Sequence, residues 1–89
     1  MYTLFRTSSF KKQYKKLSIL DKNLLKDIIT LLVQNKELDE KYKDHKLTGN
    51  FKYLRECHIK PDLLLIYKKD DDILELALVQ VGNHGSLFK

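Results

Sequence analysis

Three segments with the composition of β-strands follow one another in the second half of the chain, and only short links separate them. Polar and apolar residues alternate from Phe51 to Ile59, the segment Leu63–Lys68 is mostly apolar, and Ile73–Val81 alternates again. Pro61 lacks the N–H that a strand ladder needs, so it marks the first break, and the charged residues 69–72 mark the second. Strands joined by such short links favour an antiparallel sheet, with the apolar segment in a central position.

A strand and two helices are predicted before these segments. Tyr2–Thr7 has strand composition, Ser8 or Ser9 is the predicted N-cap of the first helix, and Asp21 is the predicted N-cap of the second. Apolar residues recur at helical spacing in both segments: Phe10, Tyr14 and Leu17 in the first, and Leu24, Leu25, Ile28, Ile29 and Leu32 in the second. These stripes are predicted to cover one face of the sheet.

The order of elements predicts an α+β fold and a single domain over residues 1–89. Read as β-α-α-β-β-β, it places two N-terminal helices on one face of a four-stranded, mostly antiparallel sheet. Residues 36–50 show no strong period and are predicted to form a long connection. Tyr53 and Tyr67 are predicted to be core or strand residues.

The charge of the chain favours an anionic partner. Its 89 residues include 17 Lys and Arg against 12 Asp and Glu, a formal net charge of +5. A basic surface suits nucleic acid or an acidic protein, and charge alone does not distinguish the two.

The lone Cys57 excludes an internal disulfide and is predicted to pack as a small strand residue. No apolar run reaches the roughly 18 residues that a membrane span needs. We therefore expect a cytoplasmic protein without membrane association.

The histidines of the chain, His45, His58 and His84, each end or border a predicted strand. An imidazole both accepts and donates a proton near neutral pH, which suits acid–base catalysis. Asp62 lies four residues after His58 and is a candidate to orient an imidazole or to act as the base. Strand alternation also puts Lys52, Glu56 and His58 on one face. Any one histidine taken alone is more often structural, and no Cys–His pattern supports a zinc site.

Three separated motifs resemble those of the YafQ-type toxins of bacterial toxin–antitoxin pairs, within the RelE/ParE superfamily. The resemblance covers nearly the whole chain. Its motifs are Tyr42-Lys43-Asp44-His45-x-Leu47-x-Gly49, Arg55-x-x-His58-x-x-Pro61-Asp62-x-x-Leu65-Ile66-Tyr67 and Gly82-x-His84-x-x-Leu87-Phe88.

The resemblance implies a RelE-like fold and an endoribonuclease that cuts mRNA in the ribosomal A site. In such toxins cleavage needs no metal or other cofactor, because the ribose 2′-OH attacks the adjacent phosphate. A cognate antitoxin binds the toxin, and operator DNA is bound through that complex. The active-site positions of the family correspond here to His45, His58, Asp62, His84 and Phe88.

One position departs from the family pattern. An arginine usually precedes the last histidine by four residues, and Gln80 stands there instead. An arginine grips phosphate with a charged planar fork, whereas glutamine donates only a neutral hydrogen bond. Lys46, Lys52 and Arg55 are the candidates to supply the missing charge.

Two other functions remain open on the same fold. The chain is either a weakened toxin that mainly binds its antitoxin, or a ParE-like inhibitor of gyrase. Fold alone does not exclude the second, although that activity has no use for this set of histidines.

Overall fold

The computed structural model of the chain describes residues 1–51 and 53–88. Within this part of the chain, two long helices pack on one face of a five-stranded sheet of spatial order β1-β5-β4-β3-β2. Strand β1 runs parallel to β5, and the other neighbouring strands are antiparallel. The strands are β1 (Thr3–Arg6), β2 (His45–Lys46), β3 (Arg55–Lys60), β4 (Leu63–Asp70) and β5 (Glu75–Gly82), and the helices are α1 (Ser8–Lys15), α2 (Ile19–Val33) and α3 (His84–Leu87).

The α+β class is confirmed, and the strand count differs from the prediction of four. The extra strand, β2, has two residues inside the segment predicted as a connection: His45 pairs with Glu56, and Lys46 with Arg55. Two residues are too few for a sequence period, so only the pairing with β3 reveals this strand.

The third strand also begins later than predicted. A 3-10 turn covers Gly49–Phe51, and β3 starts at Arg55. Tyr53 lies before the strand and is 72% exposed, so the prediction that it belongs to the core or to a strand is wrong. Tyr67 is fully buried on β4, as predicted.

Both helix caps lie upstream of the predicted residues. Thr7 Oγ1 accepts from the backbone N–H of Phe10 at 3.0 Å, and Ser18 Oγ accepts from the N–H of Asp21 at 3.1 Å. Ser and Thr are favoured at the N-cap because their oxygens satisfy first-turn N–H groups. Asp21 instead lies in the first turn of α2, where its charge suits the positive end of the helix.

The main core lies between the two helices and the sheet. It contains Leu25, Ile28 and Leu32 of α2, as the apolar stripe predicted, together with Phe10 of α1. The sheet contributes alternate residues to this core: Cys57 and Ile59 of β3, Leu63, Leu65 and Tyr67 of β4, and Leu76, Leu78 and Val81 of β5.

A bulge in β5 changes which residues share a face. Tyr67 pairs with Leu78 and Ile66 pairs with Gln80, so Val79 has no partner across the pair of strands. The regular alternation predicted for Ile73–Val81 would put Leu78 and Gln80 on one face, and beyond Leu78 this prediction is wrong. Val81 joins the main core, and Gln80 turns to the opposite face of the sheet.

We call that opposite face of the sheet the open face. Its sheet residues include His45, Glu56, His58, Leu64, Ile66 and Gln80. Gly82 pairs with Leu64, and a Cβ at Gly82 would lie 3.0 Å from Ser86 Oγ and 3.3 Å from Leu87 Cδ2. The short helix α3 therefore covers one end of the open face. No helix among the described residues is long and apolar enough to cross a membrane.

Candidate active site

Cross-strand pairing places four side chains in one row across the open face. His45 pairs with Glu56, Glu56 with Ile66, and Ile66 with Gln80. Residues directly opposite one another on antiparallel strands project to the same face, with Cβ atoms about 4.5–5.5 Å apart. His58 follows Glu56 by two residues on β3 and projects to that face as well. The sheet thus brings two of the three predicted histidines together.

Glu56 is the carboxylate that lies beside these two imidazoles. One oxygen, Oε1, lies 3.4 Å from His58 Nε2 and 3.9 Å from His45 Nε2. Glu56 is 6% exposed, while His58 is partly exposed and His45 is open to solvent. A buried carboxylate is costly unless it is paired, and each imidazole pairs with Glu56 when the nitrogen that faces it carries a proton.

Sequence reasoning missed Glu56 as a site residue. The available signal was the strand alternation, which placed Glu56 on the same face as His58. A carboxylate two residues before a histidine on one strand projects beside it, whereas Asp62 is separated from His58 by a proline.

The ring of His45 has a defined orientation. Its Nδ1 lies 2.6 Å from the backbone carbonyl of Lys43. A carbonyl oxygen only accepts hydrogen bonds, so Nδ1 carries the proton and donates it. In the neutral ring Nε2 is then unprotonated, and this is the nitrogen that faces Glu56.

His84 is the first residue of α3, and Phe88 directly follows this helix. The side chain of Asn83 caps this helix by accepting from the backbone N–H of Ser86 at 2.8 Å. The ring of His84 lies 4.8 Å from that of Phe88, and Phe88 makes an edge contact with Phe51 at 6.0 Å, centroid to centroid. The contact with Phe51 fixes the aromatic ring beside the third histidine.

Gln80 is held in place by helix α1. Its Oε1 accepts from Gln13 Nε2 at 3.1 Å, while Gln13 Oε1 accepts from the backbone N–H of Val81 at 2.8 Å. Gln80 lies in the row that contains Glu56, but its side chain carries no positive charge that could bind a phosphate.

The structure does not bring Lys46 or Arg55 to the histidines. Both alternate to the other side of the sheet, and Arg55 is paired with Asp44, from Nη2 to Oδ2 at 3.3 Å. They do not replace the missing arginine on the open face. The third candidate, Lys52, lies outside the described residues.

Asp62 lies apart from the imidazoles in the turn between β3 and β4. Its side chain is 81% exposed, and one of its oxygens lies 4.0 Å from Lys60 Nζ. Lys60 in turn binds Asp21 of α2 at 2.9 Å, a bond that raises the pKa of Lys60. The carboxylate that the structure places beside His58 is therefore Glu56 rather than Asp62.

Cys57 has the environment of a structural residue. Cys57 lies between Glu56 and His58 in the sequence, but its fully buried side chain projects to the opposite face of the sheet. Burial, with smaller contributions from nearby Asp44 and Glu56, raises the pKa of its thiol to about 12. Because the thiolate is the reactive form, this residue is not a nucleophile at neutral pH.

The arrangement has the parts of an acid–base site. The imidazoles of His45 and His58 lie beside the buried carboxylate of Glu56. The third imidazole, that of His84, lies on α3 next to the aromatic ring of Phe88. Within residues 1–51 and 53–88, no group of three or more His, Cys, Asp or Glu side chains is arranged to hold a metal ion.

Comparison with known proteins identifies the family. The family profile described as the bacterial toxin of type II toxin-antitoxin system, YafQ, matches residues 2–89. The chain is similar to the mRNA interferase toxin YafQ of Escherichia coli K12, with 44% identity over 69 residues, 76% of this chain and 73% of that protein.

Solved structures show the same fold. The toxin in the E. coli DinJ–YafQ toxin-antitoxin complex superposes with a TM-score of 0.86 at 35% identity, covering 99% of this chain and 98% of that one. A metal-bound toxin from Helicobacter pylori gives a TM-score of 0.85 at 42% identity, covering 99% and 100%. The match over residues 2–89, together with this fold, shows that the chain belongs to the YafQ family of type II toxin–antitoxin toxins.

Proposed function

We propose that this protein is the toxin of a type II toxin–antitoxin system and cuts mRNA on the ribosome, in the cytoplasm. The observation that carries the proposal is the pairing of buried Glu56 with His45 and His58 on the open face. The name of the E. coli relative, an mRNA interferase, supports the same activity.

The reaction needs two proton transfers. The ribose 2′-oxygen forms a bond to the adjacent phosphorus while the bond from phosphorus to the 5′-oxygen breaks, leaving a 2′,3′-cyclic phosphate and a 5′-hydroxyl. One side chain takes the 2′ proton, and another gives a proton to the leaving 5′-oxygen. His45 and His58, beside Glu56, and His84 are the candidates for these roles, and Asp62 stays a candidate base.

Phe88 has a separate role in this proposal. Aromatic rings in single-stranded RNA sites stack on exposed bases. The contact with Phe51 holds the Phe88 ring beside His84, so a stacked base would lie next to an imidazole.

Positioning by the ribosome explains how this site works without an arginine at residue 80. Proton transfer contributes about 10²–10⁴-fold to a rate, and alignment of the reacting groups supplies much of the rest. Gln80 is uncharged, and Arg55 is paired with Asp44 on the other side of the sheet. A ribosome that stretches the message at the A site would supply the alignment that the chain lacks.

The partner in this proposal is a cognate antitoxin with an acidic, amphipathic segment. The E. coli relative YafQ forms a toxin–antitoxin complex with DinJ. A groove between β1, α1 and α2 has an apolar floor and a cationic rim, which suits such a segment by packing and by charge. Its floor is formed by Leu4, Phe10, Tyr14 and Ile29, and its rim by Arg6, Lys11, Lys15 and Lys26.

Mapping of 5′ ends on a message translated in a purified system tests the proposal. We expect cuts at in-frame codons with the wild-type protein, loss of those cuts with His84→Ala, and much weaker cutting of the same RNA without ribosomes. Equal cutting of naked and translated RNA would contradict ribosome dependence.

A second function is favoured by the neutral Gln80, namely a toxin whose catalysis has decayed and that mainly binds its antitoxin. This alternative predicts no cuts with the wild-type protein, unchanged growth on overexpression without antitoxin, and tight antitoxin binding.

A further inference from the structure

A cluster on the helix side of the sheet lies directly behind His45. Asp44 directly precedes β2, and its carboxylate bonds Arg55 on the helix side of the sheet, whereas His45 projects toward Glu56 on the open face. Asp44 contacts Arg55 and Tyr67, which pair across β3 and β4. We call Asp44, Arg55 and Tyr67 the anchor triad.

The bonds within the anchor triad join all three members. Arg55 Nη2 lies 3.3 Å from Asp44 Oδ2, and Arg55 Nε donates to Asp44 Oδ1 at 3.3 Å and to the Tyr67 hydroxyl at 3.2 Å. The Tyr67 hydroxyl donates to Asp44 Oδ1. Each pair is bonded, so Asp44 is held from two neighbouring strands.

Besides the anchor triad, the segment that carries His45 is attached by packing of Tyr42 against the core, by the bond from Leu47 N–H to the Leu54 carbonyl and by the β2 ladder. Strand β2 has two residues, so its ladder is short. The residue before Asp44, Lys43, has φ 49° and ψ 43°, a left-handed conformation that costs a residue with a side chain about 1 kcal/mol or more. A strained residue persists when its surroundings hold it, and the side chain of Asp44 is the adjacent attachment to the sheet.

Lys43 matters because its carbonyl orients the imidazole. Nδ1 of His45 donates to that carbonyl, which directs Nε2 toward Glu56. A shift of the backbone at residues 43 and 44 would therefore move the hydrogen bond that sets the tautomer of His45.

The Arg55 and Tyr67 members of the triad keep their protonation states across the physiological range. Burial and the bond to Asp44 raise the pKa of Tyr67. Burial lowers the pKa of Arg55, but its bonds to Tyr67 and Asp44 outweigh that effect and raise it. The arginine therefore stays charged and the tyrosine stays neutral at neutral pH.

We propose that Asp44, Arg55 and Tyr67 are positioning residues that hold His45 in one tautomer and one orientation, with Nε2 directed at Glu56. The triad lies on the far side of the sheet from the RNA and acts only through the backbone at residues 43–45. The consequence for catalysis rests on the proposed function, whereas the effect on the imidazole does not.

Nuclear magnetic resonance of the histidine rings tests the inference without any RNA. Tyr67→Phe removes the hydroxyl and keeps the ring, and Asp44→Asn removes the charge and keeps the shape. In both variants we expect the Nδ1 and Nε2 resonances of His45 to move toward a mixture of tautomers, while those of His84 stay unchanged.

Tyr2→Phe is the matched control. It also removes a tyrosine hydroxyl that donates to an aspartate, here Asp71, but that bond does not include a member of the anchor triad. We expect no change at His45 in this variant. Unchanged His45 resonances in folded Tyr67→Phe and folded Asp44→Asn would overturn the inference.

Cleavage of translated mRNA is the second measurement. We expect Tyr67→Phe to lower kcat about 10- to 100-fold, a typical result of misplaced catalytic groups, with little change in KM. Altered His45 resonances with no cleavage even by the wild-type protein would support the triad and contradict the proposed function. Altered resonances with unchanged kcat would overturn the role of the triad in catalysis.

Discussion

At the scale of single residues, the buried carboxylate of Glu56 organises the open face. It is 6% exposed and lies within 4 Å of two imidazole nitrogens. A charge in such a position is retained only with partners, and the partners here are groups that exchange protons near neutral pH. Mutation of Glu56 is therefore a more direct test of this site than mutation of the exposed Asp62.

Replacing Glu56 with glutamine tests this view. Glu56→Gln keeps the shape but removes the charge that pairs with the imidazoles, so we expect cleavage of translated mRNA to fall about 100-fold, within the 10²–10⁴-fold that positioned proton transfer contributes. Glu37→Gln, at an exposed position, is the control and should cut like the wild type. Rates within twofold of each other in the two variants would contradict the role of Glu56.

Replacing Gln80 with arginine tests whether the missing positive charge limits the rate of cleavage. Gln80 lies in the row with Glu56, so Gln80→Arg would add a cation to the open face. We expect cleavage to rise about tenfold or more, because a hydrogen bond to a charged group contributes roughly 1.5–3 kcal/mol. Gln34→Arg adds the same charge at the exposed end of α2 and should not change the rate. Equal rates in both variants would show that charge at residue 80 does not limit cleavage.

At the scale of elements, the short helix α3 is placed by close packing on the end of β5. Gly82 pairs with Leu64 on the open face, and the space above its Cα is filled by Ser86 and Leu87. Because α3 carries His84 and leads into Phe88, the lack of a side chain at residue 82 sets how near these two groups lie to the sheet.

Two glycine substitutions separate packing from helix propensity. Gly82→Ala puts a Cβ 3.0 Å from Ser86 Oγ and 3.3 Å from Leu87 Cδ2, so these side chains must give way, and we expect cleavage to fall at least tenfold with a loss of about 1–3 kcal/mol in stability from overpacking. Gly85→Ala meets Asn83 Oδ1 at an ordinary 3.6 Å and should leave the unfolding temperature equal or higher, because alanine favours helices. Wild-type activity in Gly82→Ala would show that α3 has more freedom than its packing indicates.

At the scale of the whole molecule, buried acidic groups link stability to pH. The pKa of Cys57 is raised by burial to about 12, and the pKa of Tyr67 is raised by burial and by Asp44. Both groups stay protonated in the native protein at pH values where the unfolded chain loses their protons. The native state then binds more protons, so stability is complete below about pH 9 and falls as the pH rises above that value.

Urea unfolding between pH 8 and pH 11 measures this dependence. Each proton by which the two states differ lowers the free energy of unfolding by about 1.4 kcal/mol per pH unit. Cys57→Ala removes one of these groups, so its free energy of unfolding should fall less steeply with pH than that of the wild type. Equal slopes for the two proteins would show that the thiol ionises as readily in the native state as in the unfolded one.

The α+β class, the apolar stripe of α2 and the central position of β4 were all readable from the amino-acid pattern. Each of these depends on local periodicity, which burial against a single face imposes on a helix or strand. The three motifs that identify the family were also readable, because their residues are close together along the chain.

Which residues meet became clear only in the folded protein. The two-residue strand β2 brings His45 to Glu56, and the bulge at Val79 turns Gln80 to the same face. Pairing between distant segments fixes both features, and no local pattern encodes the register of such pairing. For the same reason the sequence predicted Arg55 as a substrate-binding residue, whereas the sheet places it behind the site, paired with Asp44.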